Sequence, residues 1–193
     1  MENHRIEELV IKNMICSRCL KVLRQEMEAM GVEILDLQLG KIKIRFPSDK
    51  LSLEAIEKKL NEDHFEIVKS HDEIVYEKIK LALIDLVNAL PLSQEKVLSD
   101  YLSHILHKDH WTLSKIFSKT GGITIEKYFI LLKIEKVKEL IEYDQMNFTE
   151  IAYELGYRNI FHLSNQFKQV TGMSMSAYKK LPEKKRKPLD KII

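Results

Sequence analysis

Long apolar runs are absent from this sequence, and cysteine, proline, glycine and aromatic residues are all scarce. No stretch of about 18 uninterrupted apolar residues is present, so we expect no membrane span. Six glycines and four prolines are too few for long flexible linkers. The polar, acidic start MENHRIEELV lacks the basic and apolar segments of a signal peptide. We therefore expect a cytoplasmic protein.

The net charge is small, but it is unevenly distributed. Lys and Arg total 31 against 29 Asp and Glu among the 193 residues. Residues 1–72 carry 12 basic and 14 acidic side chains, whereas residues 73–193 carry 19 and 15. The basic excess therefore lies in the C-terminal part. It is compatible with nucleic-acid binding but does not demonstrate it.

The first 70 residues alternate between strand and helix patterns. Strand-like segments are IEELVIK, VEILDLQLG, KIKIRF and EIVKS, and helical segments are CLKVLRQEMEAMG and SLEAIEKKLNEDHF. Ser52 is the predicted N-cap of the second helix, and Gly40 between two strands indicates a hairpin. The order βαββαβ predicts a ferredoxin-like domain over residues 1–72, with both helices on one face of a four-stranded sheet.

From about Glu73 the strand patterns disappear and helical patterns take over. A first helix is predicted to end at Pro91, and five further helices follow with short connections. Ser70–Glu73 is the predicted joint between the two parts. The predicted fold class is thus α+β, with an all-α module over residues 73–181. A basic tail, residues 182–193, is either solvated or a phosphate contact.

Two segments of the all-α module share one helix-turn-helix design. They are LSDYLSHILHKDHWTLSKIFSKTGG and FTEIAYELGYRNIFHLSNQFKQVTG. Their apolar residues match in spacing, with Leu102, Ile105, Leu113 and Phe117 in the first and Ile151, Leu155, Leu163 and Phe167 in the second. Gly156 permits the positive φ of a tight turn, whereas His107 or Lys108 replaces it in the first segment. The second helix has a polar outer face that suits a DNA major groove, formed by Arg158, Asn159, His162, Asn165, Gln166 and Lys168.

These segments, the long helix Ile125–Tyr143 between them and the closing TGMSMSAYKK resemble the AraC/XylS family of bacterial transcription regulators over Ile74–Lys180. The resemblance implies a regulator that binds double-stranded DNA, with two recognition helices in successive major grooves about 34 Å apart. It places the following side chains against bases: Trp111, Ser114 and Lys115 in the first helix, and Ile160, Phe161, His162, Ser164 and Asn165 in the second. Lys133 and Met175 stand where the family usually has arginine and proline.

Side-chain chemistry assigns different contacts to these residues. Asn165 can pair with an adenine edge and Lys115 with guanine, while Phe161 and Ile160 suit thymine methyl groups. Contacts to phosphates are expected from Lys119, Lys127 and Lys168. The alternative is two packed helix pairs whose polar faces are only solvated, with Trp111 at the edge of a core. No Ser-His-Asp pattern or phosphate-binding glycine loop is present, so we expect no enzyme.

Both cysteines of the chain lie in NMICSRCLKV, between the first strand and the first helix. A helix N-terminus favours the thiolate form of cysteine. Thiolates without a hard oxygen ligand favour Cu(I), since zinc prefers four ligands. Cys16 and Cys19 are therefore the predicted metal ligands.

The residues 4–70 resemble the heavy-metal-associated domain of copper chaperones and metal-transporting ATPases, whose signature is G-M-x-C-x-x-C. Asn13 replaces the glycine of that signature. The resemblance implies that Met14 packs inward rather than binding metal. His64, at the end of the second helix, is a candidate third ligand. Its alternative role is a cation at a helix C-terminus.

Three roles of the cysteine pair stay open, namely metal binding, a reversible disulfide or thiol sensor, and an inert pair in a fold kept for packing. Metal binding predicts a transcription regulator that responds to Cu(I), with DNA and a metal donor protein as partners. The alternatives are a redox-responsive regulator and a cytosolic metal carrier. The oligomeric state is open, and a homodimer is one option.

Overall fold

The computed structural model describes residues 3–14, 17–92, 98–189 and 192. The strands are β1 (His4–Lys12), β2 (Glu33–Gln38), β3 (Lys41–Pro47) and β4 (Glu66–Val68). The helices are α1 (Ser17–Ala29), α2 (Leu53–Glu62), α3 (His71–Asn88), α4 (Leu98–Leu106), α5 (His110–Gly121), α6 (Ile125–Tyr143), α7 (Phe148–Glu154), α8 (Ile160–Thr171) and α9 (Met175–Lys179). The chain divides into two compact units, residues 1–81 and 82–193. The first unit contains a small sheet and its helices, and the second unit is helical, which confirms the predicted α+β class.

The first unit is built on an antiparallel sheet with the strand order β2-β3-β1-β4. Strand β1 lies in the interior of the sheet and pairs with both β3 and β4. Because successive side chains of a strand point to opposite faces, Leu9 and Ile11 of β1 face the same core as Ile42 and Ile44 of β3. The elements follow the predicted βαββαβ order.

Helices α1 and α2 cover this core with one apolar stripe each. Leu23 and Met27 of α1 and Ile56 and Leu60 of α2 are at most 1% exposed. The hydroxyl of Ser52 accepts a hydrogen bond from the backbone N–H of Ala55 at 3.2 Å. The predicted N-cap is thereby confirmed. Capping satisfies one of the N–H groups that a helix leaves unpaired in its first turn.

Helix α3 runs through the boundary between the two units. It begins at His71, within the predicted joint Ser70–Glu73, and the boundary falls between Leu81 and Ala82. The predicted joint is therefore the start of a helix rather than an irregular linker. Among the described residues, none of the helices combines the length and the hydropathy needed to cross a bilayer.

The second unit contains one three-helix arrangement twice. Helices α4 and α5 are followed by the start of α6, and α7 and α8 are followed by α9. Helices α5 and α8 have twelve residues each. Each begins after a side-chain N-cap, Asp109 or Asn159, and each ends at a left-handed glycine, Gly122 or Gly172. The predicted first turn of α4, residues 95–97, lies outside the described residues.

Each copy of the arrangement closes with the same aromatic contact. Phe117 of α5 packs on Tyr128 of α6 with ring centroids 5.5 Å apart. At the equivalent positions, 50 residues later, Phe167 packs on Tyr178 at 5.8 Å. The repeat is therefore longer than the sequence analysis predicted, because it includes the start of α6 and the whole of α9.

The two turns differ by one residue, and this corrects one predicted match. Leu113 and Leu163 are 50 positions apart, whereas the left-handed residues of the turns, His107 (φ 50) and Gly156 (φ 68), are 49 apart. The shorter first turn shifts the register, so Leu106 corresponds to Leu155. Ile105 was predicted to face inward, and that prediction is wrong, because its side chain is 45% exposed.

The segment after α9 lies along α6. The guanidinium of Arg186 forms ion pairs with Glu139 and Glu142, and the backbone N–H of Lys187 donates to the carboxylate of Glu135 at 3.0 Å. Glu135 is 7% exposed, so this contact is largely shielded from water. Arg186 and Lys187 are exposed, and they also bind acidic side chains of α6, the first through its guanidinium and the second through its backbone N–H. Residues 190, 191 and 193 of that tail lie outside the described residues.

Candidate nucleic-acid interface

Helices α5 and α8 present nearly the same face to solvent. Leu113 and Phe117 in α5, like Leu163 and Phe167 in α8, are fully buried and attach each helix by one apolar stripe. The remaining positions of the two helices agree in their degree of burial, with one difference. Thr112 is half-buried, whereas its counterpart His162 is exposed. The duplication therefore includes the outer surface as well as the core.

Each helix carries a large exposed aromatic residue at its second position. Trp111 is 71% exposed and Phe161 is 75% exposed. Trp111 therefore does not pack at the edge of a core. The ammonium group of Lys115, one turn later, lies 5.0 Å from the centroid of the Trp111 ring. This cation–π geometry holds the two side chains side by side on the surface of α5.

The other predicted base-facing residues divide into exposed and half-buried groups. The exposed ones are Lys115, Phe161, His162 and Asn165. Arg158 and Asn159, which were predicted on the outer face, and Lys168, which was predicted to contact phosphate, are exposed as well. Ile160 is half-buried and packs against the core of the second unit, so it supports α8 rather than lying on its exposed face. The side chain of Asn159 accepts a hydrogen bond from the backbone N–H of His162 at 2.9 Å, which makes it the N-cap of α8.

Ser114 and Ser164 are half-buried at equivalent positions, beneath the exposed faces. The hydroxyl of Ser114 lies 3.5 Å from Nε2 of His110. The same nitrogen lies 3.6 Å from a carboxylate oxygen of Glu126. His110 was not among the interface residues predicted from the sequence, because its contact with Glu126 depends on how α5 and α6 pack.

A half-buried lysine and a buried tyrosine lie behind the second helix. The ammonium group of Lys133, on α6, lies 4.0 Å from the ring centroid of Tyr157 and 5.4 Å from that of Phe129. Burial lowers the pKa of Lys133 to about 8. A cation over an aromatic ring face is stabilised, so the Tyr157 ring offsets part of this burial penalty.

Tyr157 connects this lysine to side chains of α8. Its hydroxyl donates to Oε1 of Gln166 at 2.6 Å, and its ring meets the ring of His162 edge-on at 5.4 Å. Tyr157 is 2% exposed, and burial raises the pKa of its hydroxyl. Gln166 was predicted on the outer face, but it is half-buried. Tyr157 was not among the residues predicted from the sequence, because nothing in the local pattern separates it from other turn residues.

The cysteine segment is only partly described. Cys16 lies outside the described residues. Cys19 is in the first turn of α1, and its thiol lies 3.8 Å from the backbone carbonyl oxygen of Asn13. The side-chain amide of Asn13 donates to the backbone carbonyl of His64 at 2.8 Å. Met14 is 1% exposed and belongs to the core of the first unit, which confirms the prediction that it packs inward.

The backbone of His64, the candidate third ligand, is hydrogen-bonded to this segment. His64 has a positive φ of 64 and an exposed side chain. Within residues 3–14, 17–92, 98–189 and 192, no group of three or more His, Cys, Asp or Glu side chains is arranged to hold a metal ion. The role of His64 as a ligand stays a prediction.

Comparison with known proteins identifies the duplicated part. Residues 102–181 match a family model described as a helix-turn-helix domain. The Melibiose operon regulatory protein of Escherichia coli (strain K12) is 22% identical over 190 residues, which is 95% of this chain and 61% of that protein. The same protein of Escherichia coli O6:H1 has the same identity and coverage. The chain thus spans about three fifths of the length of the curated relatives it matches.

The chain also resembles parts of solved structures, with TM-scores below 0.5. The C-terminal domain of AraT, a response regulator from Geobacillus stearothermophilus, is 20% identical, with a TM-score of 0.49 over 57% of this chain and 88% of that chain. The transcriptional regulator CdpR from Pseudomonas aeruginosa is 16% identical, with a TM-score of 0.47 over 90% of this chain and 55% of that chain. The domain match and the regulatory relatives support the resemblance of the C-terminal part to AraC-type regulators.

Proposed function

Because residues 102–181 match a helix-turn-helix domain, we propose that the protein is a DNA-binding transcriptional regulator of the AraC type. The observation that carries the proposal is the pair of matching exposed faces on α5 and α8. One polar helix face is explained by solvation alone. Two faces whose pattern of exposure agrees at all but one position, each with an exposed aromatic side chain at the same place, are better explained by a common ligand with repeating structure.

Double-stranded DNA is such a ligand, since its major groove recurs about every 34 Å along one face. In the proposed complex, α5 and α8 enter successive major grooves. Lys115 and Asn165 contact base edges. Lys168 and other exposed lysines contact phosphates, which sets the affinity and its salt dependence rather than the sequence preference. Lys133 and Tyr157 hold α8 from behind.

The test is binding of the full chain to DNA from upstream of its own gene, measured by fluorescence anisotropy at several salt concentrations. The double variant Lys115→Ala/Asn165→Ala is expected to lose about tenfold or more in affinity for that DNA, because two base contacts are removed. It should lose little affinity for unrelated DNA. Lys168→Ala should weaken binding to the upstream DNA and to unrelated DNA alike, and it should lower the slope of log affinity against log salt concentration by about 1.

The control for these variants is Lys58→Ala, which removes an exposed charge from α2 in the first unit. Its binding is expected to equal that of the wild type. Equal affinity of the wild type and the double variant for the upstream DNA would contradict the proposal. Circular dichroism of each variant shows that a loss of binding does not come from unfolding.

We further propose that the first unit is a ferredoxin-like domain of the heavy-metal-associated type, which binds a soft metal ion, Cu(I), through Cys16 and Cys19. The βαββαβ order and the buried Met14 support the domain type. Cys19 lies in the first turn of α1, and cysteine sulfur is a soft ligand of the kind that Cu(I) prefers. The side-chain amide of Asn13 donates a hydrogen bond to the backbone carbonyl of His64, the candidate third ligand.

Regulation by metal requires unequal metal affinity in two states of the protein, one of which binds DNA better. The test is the affinity for the upstream DNA with and without Cu(I), at fixed salt and under anaerobic conditions. A change in the wild type that is absent in Cys16→Ser/Cys19→Ser supports metal response. A change produced by oxidant alone supports a redox-responsive regulator instead. Metal transfer from a donor protein without any effect on DNA binding indicates a metal carrier.

A further inference from the structure

The exposed side chains of α5 and α8 share their chemical class at one position and differ at others. Trp111 and Phe161 are the shared aromatic position, 71% and 75% exposed. One turn later, Lys115 and Asn165 are both exposed but differ in chemistry. The helices are otherwise attached by equivalent stripes and capped in the same way. Their orientation on a groove is therefore expected to be equivalent as well.

From this duplication we infer that the DNA site consists of two related half-sites that share a thymine and differ at one neighbouring base pair. This inference rests on the proposed DNA-binding function. The shared thymine lies against the aromatic ring of each helix. The differing base pair presents guanine to Lys115 in one half-site and adenine to Asn165 in the other.

The chemistry of base edges supports each assignment. The C5-methyl group of thymine is the apolar feature of the major groove and is contacted by apolar side chains. A lysine ammonium group donates to O6 and N7 of guanine, which are both acceptors, whereas an Asn side chain pairs with N6 and N7 of adenine. Trp111 and Phe161 therefore suit the same base, and Lys115 and Asn165 suit different purines.

The spacing within each helix sets the spacing within each half-site. Residues four apart in a helix are separated by about 6 Å along its axis, and successive base pairs by about 3.4 Å. The base pair at the shared thymine is therefore expected within about two steps of the discriminating purine. In α5 the contact between Lys115 and the Trp111 ring brings the two side chains together, as recognition of adjacent steps requires.

The experiment is selection of bound duplexes from a random library by the full chain, followed by sequencing. The wild type is expected to enrich two half-sites with centres about 10–10.5 base pairs apart, each with a thymine, one with guanine and one with adenine beside it. The exchange variant Lys115→Asn/Asn165→Lys is expected to swap these two purines between the half-sites. The swapped base should be preferred about tenfold or more.

The control Lys58→Asn also replaces an exposed lysine by asparagine, but in α2. It should enrich the same sequences as the wild type. Enriched half-sites without a common thymine, or purines that stay in place in the exchange variant, would overturn the inference while leaving DNA binding intact. A library with no enriched sequence for the wild type would overturn the proposed function together with this inference.

Discussion

The stability of the second unit should increase with pH in a way that depends on Lys133. This lysine lies under the Tyr157 ring, and burial lowers its pKa from 10.5 to about 8. In the unfolded chain the pKa returns to about 10.4. Below pH 8 both states are protonated and the folded state bears the full penalty of the buried charge. Between the two pKa values the folded state releases its proton first, so stability rises with pH.

The size of the effect follows from the difference between the two pKa values. Each pKa unit corresponds to about 1.4 kcal/mol, so the whole shift corresponds to about 3 kcal/mol. Only part of it falls in a convenient range. Between pH 7.5 and 9.5 the linkage relation gives the wild type a gain of about 2 kcal/mol. Lys133→Met, which cannot titrate, lacks this gain, so the difference between the two proteins should change by that amount.

The assay is urea unfolding of the full chain, followed by circular dichroism at several values of pH. Lys127→Met serves as control, because Lys127 lies on the same helix but is exposed. It should follow the wild type at every pH. Parallel pH profiles for the wild type and Lys133→Met would refute the reasoning. They would mean that the ring of Tyr157 stabilises the charge as well as water does.

Two further predictions concern the turns and the C-terminal segment. Gly156→Ala should lower the free energy of unfolding by more than about 1 kcal/mol, because φ at Gly156 is 68 and the new Cβ would lie 3.3 Å from the Leu92 carbonyl oxygen. His107→Ala, in the matched turn, should change the free energy of unfolding by about 0.5 kcal/mol or less. Equal losses for the two variants in thermal or urea unfolding would contradict this prediction. Arg186→Ala should cost under about 1 kcal/mol, since its ion pair with Glu139 is partly exposed, and should leave the salt slope of DNA binding unchanged; a slope lower by about 1 would instead identify Arg186 as a phosphate contact.

The helices and strands followed from local patterns, and most were predicted close to their observed bounds. The connecting helix was predicted and observed at Ile125–Tyr143. Period-two alternation placed β3, and the cap at Ser52 placed the start of α2. Such patterns are readable because one face of each element is buried, and burial selects apolar residues at the period of that element.

The register of the first turn could not be predicted in the same way. Spacing alone paired Ile105 with Leu155, since the sequence does not show that the first turn is one residue shorter. In the structure the first turn is closed by His107, whose backbone adopts the left-handed conformation. Histidine adopts that conformation more readily than most residues, yet it carries no signal comparable to glycine.

The sequence by itself determined which residues could contact a ligand, because polar and aromatic residues at helical spacing can be recognised from the amino-acid order alone. Only the tertiary structure decided which of these side chains stay exposed and which contact other parts of the protein instead. Ile160 and Gln166 turn towards the protein, Lys133 is placed under Tyr157, and Arg186 is bound to α6. Each of these outcomes depends on contacts with residues outside the same helix, and contacts of that kind follow from packing rather than from local periodicity.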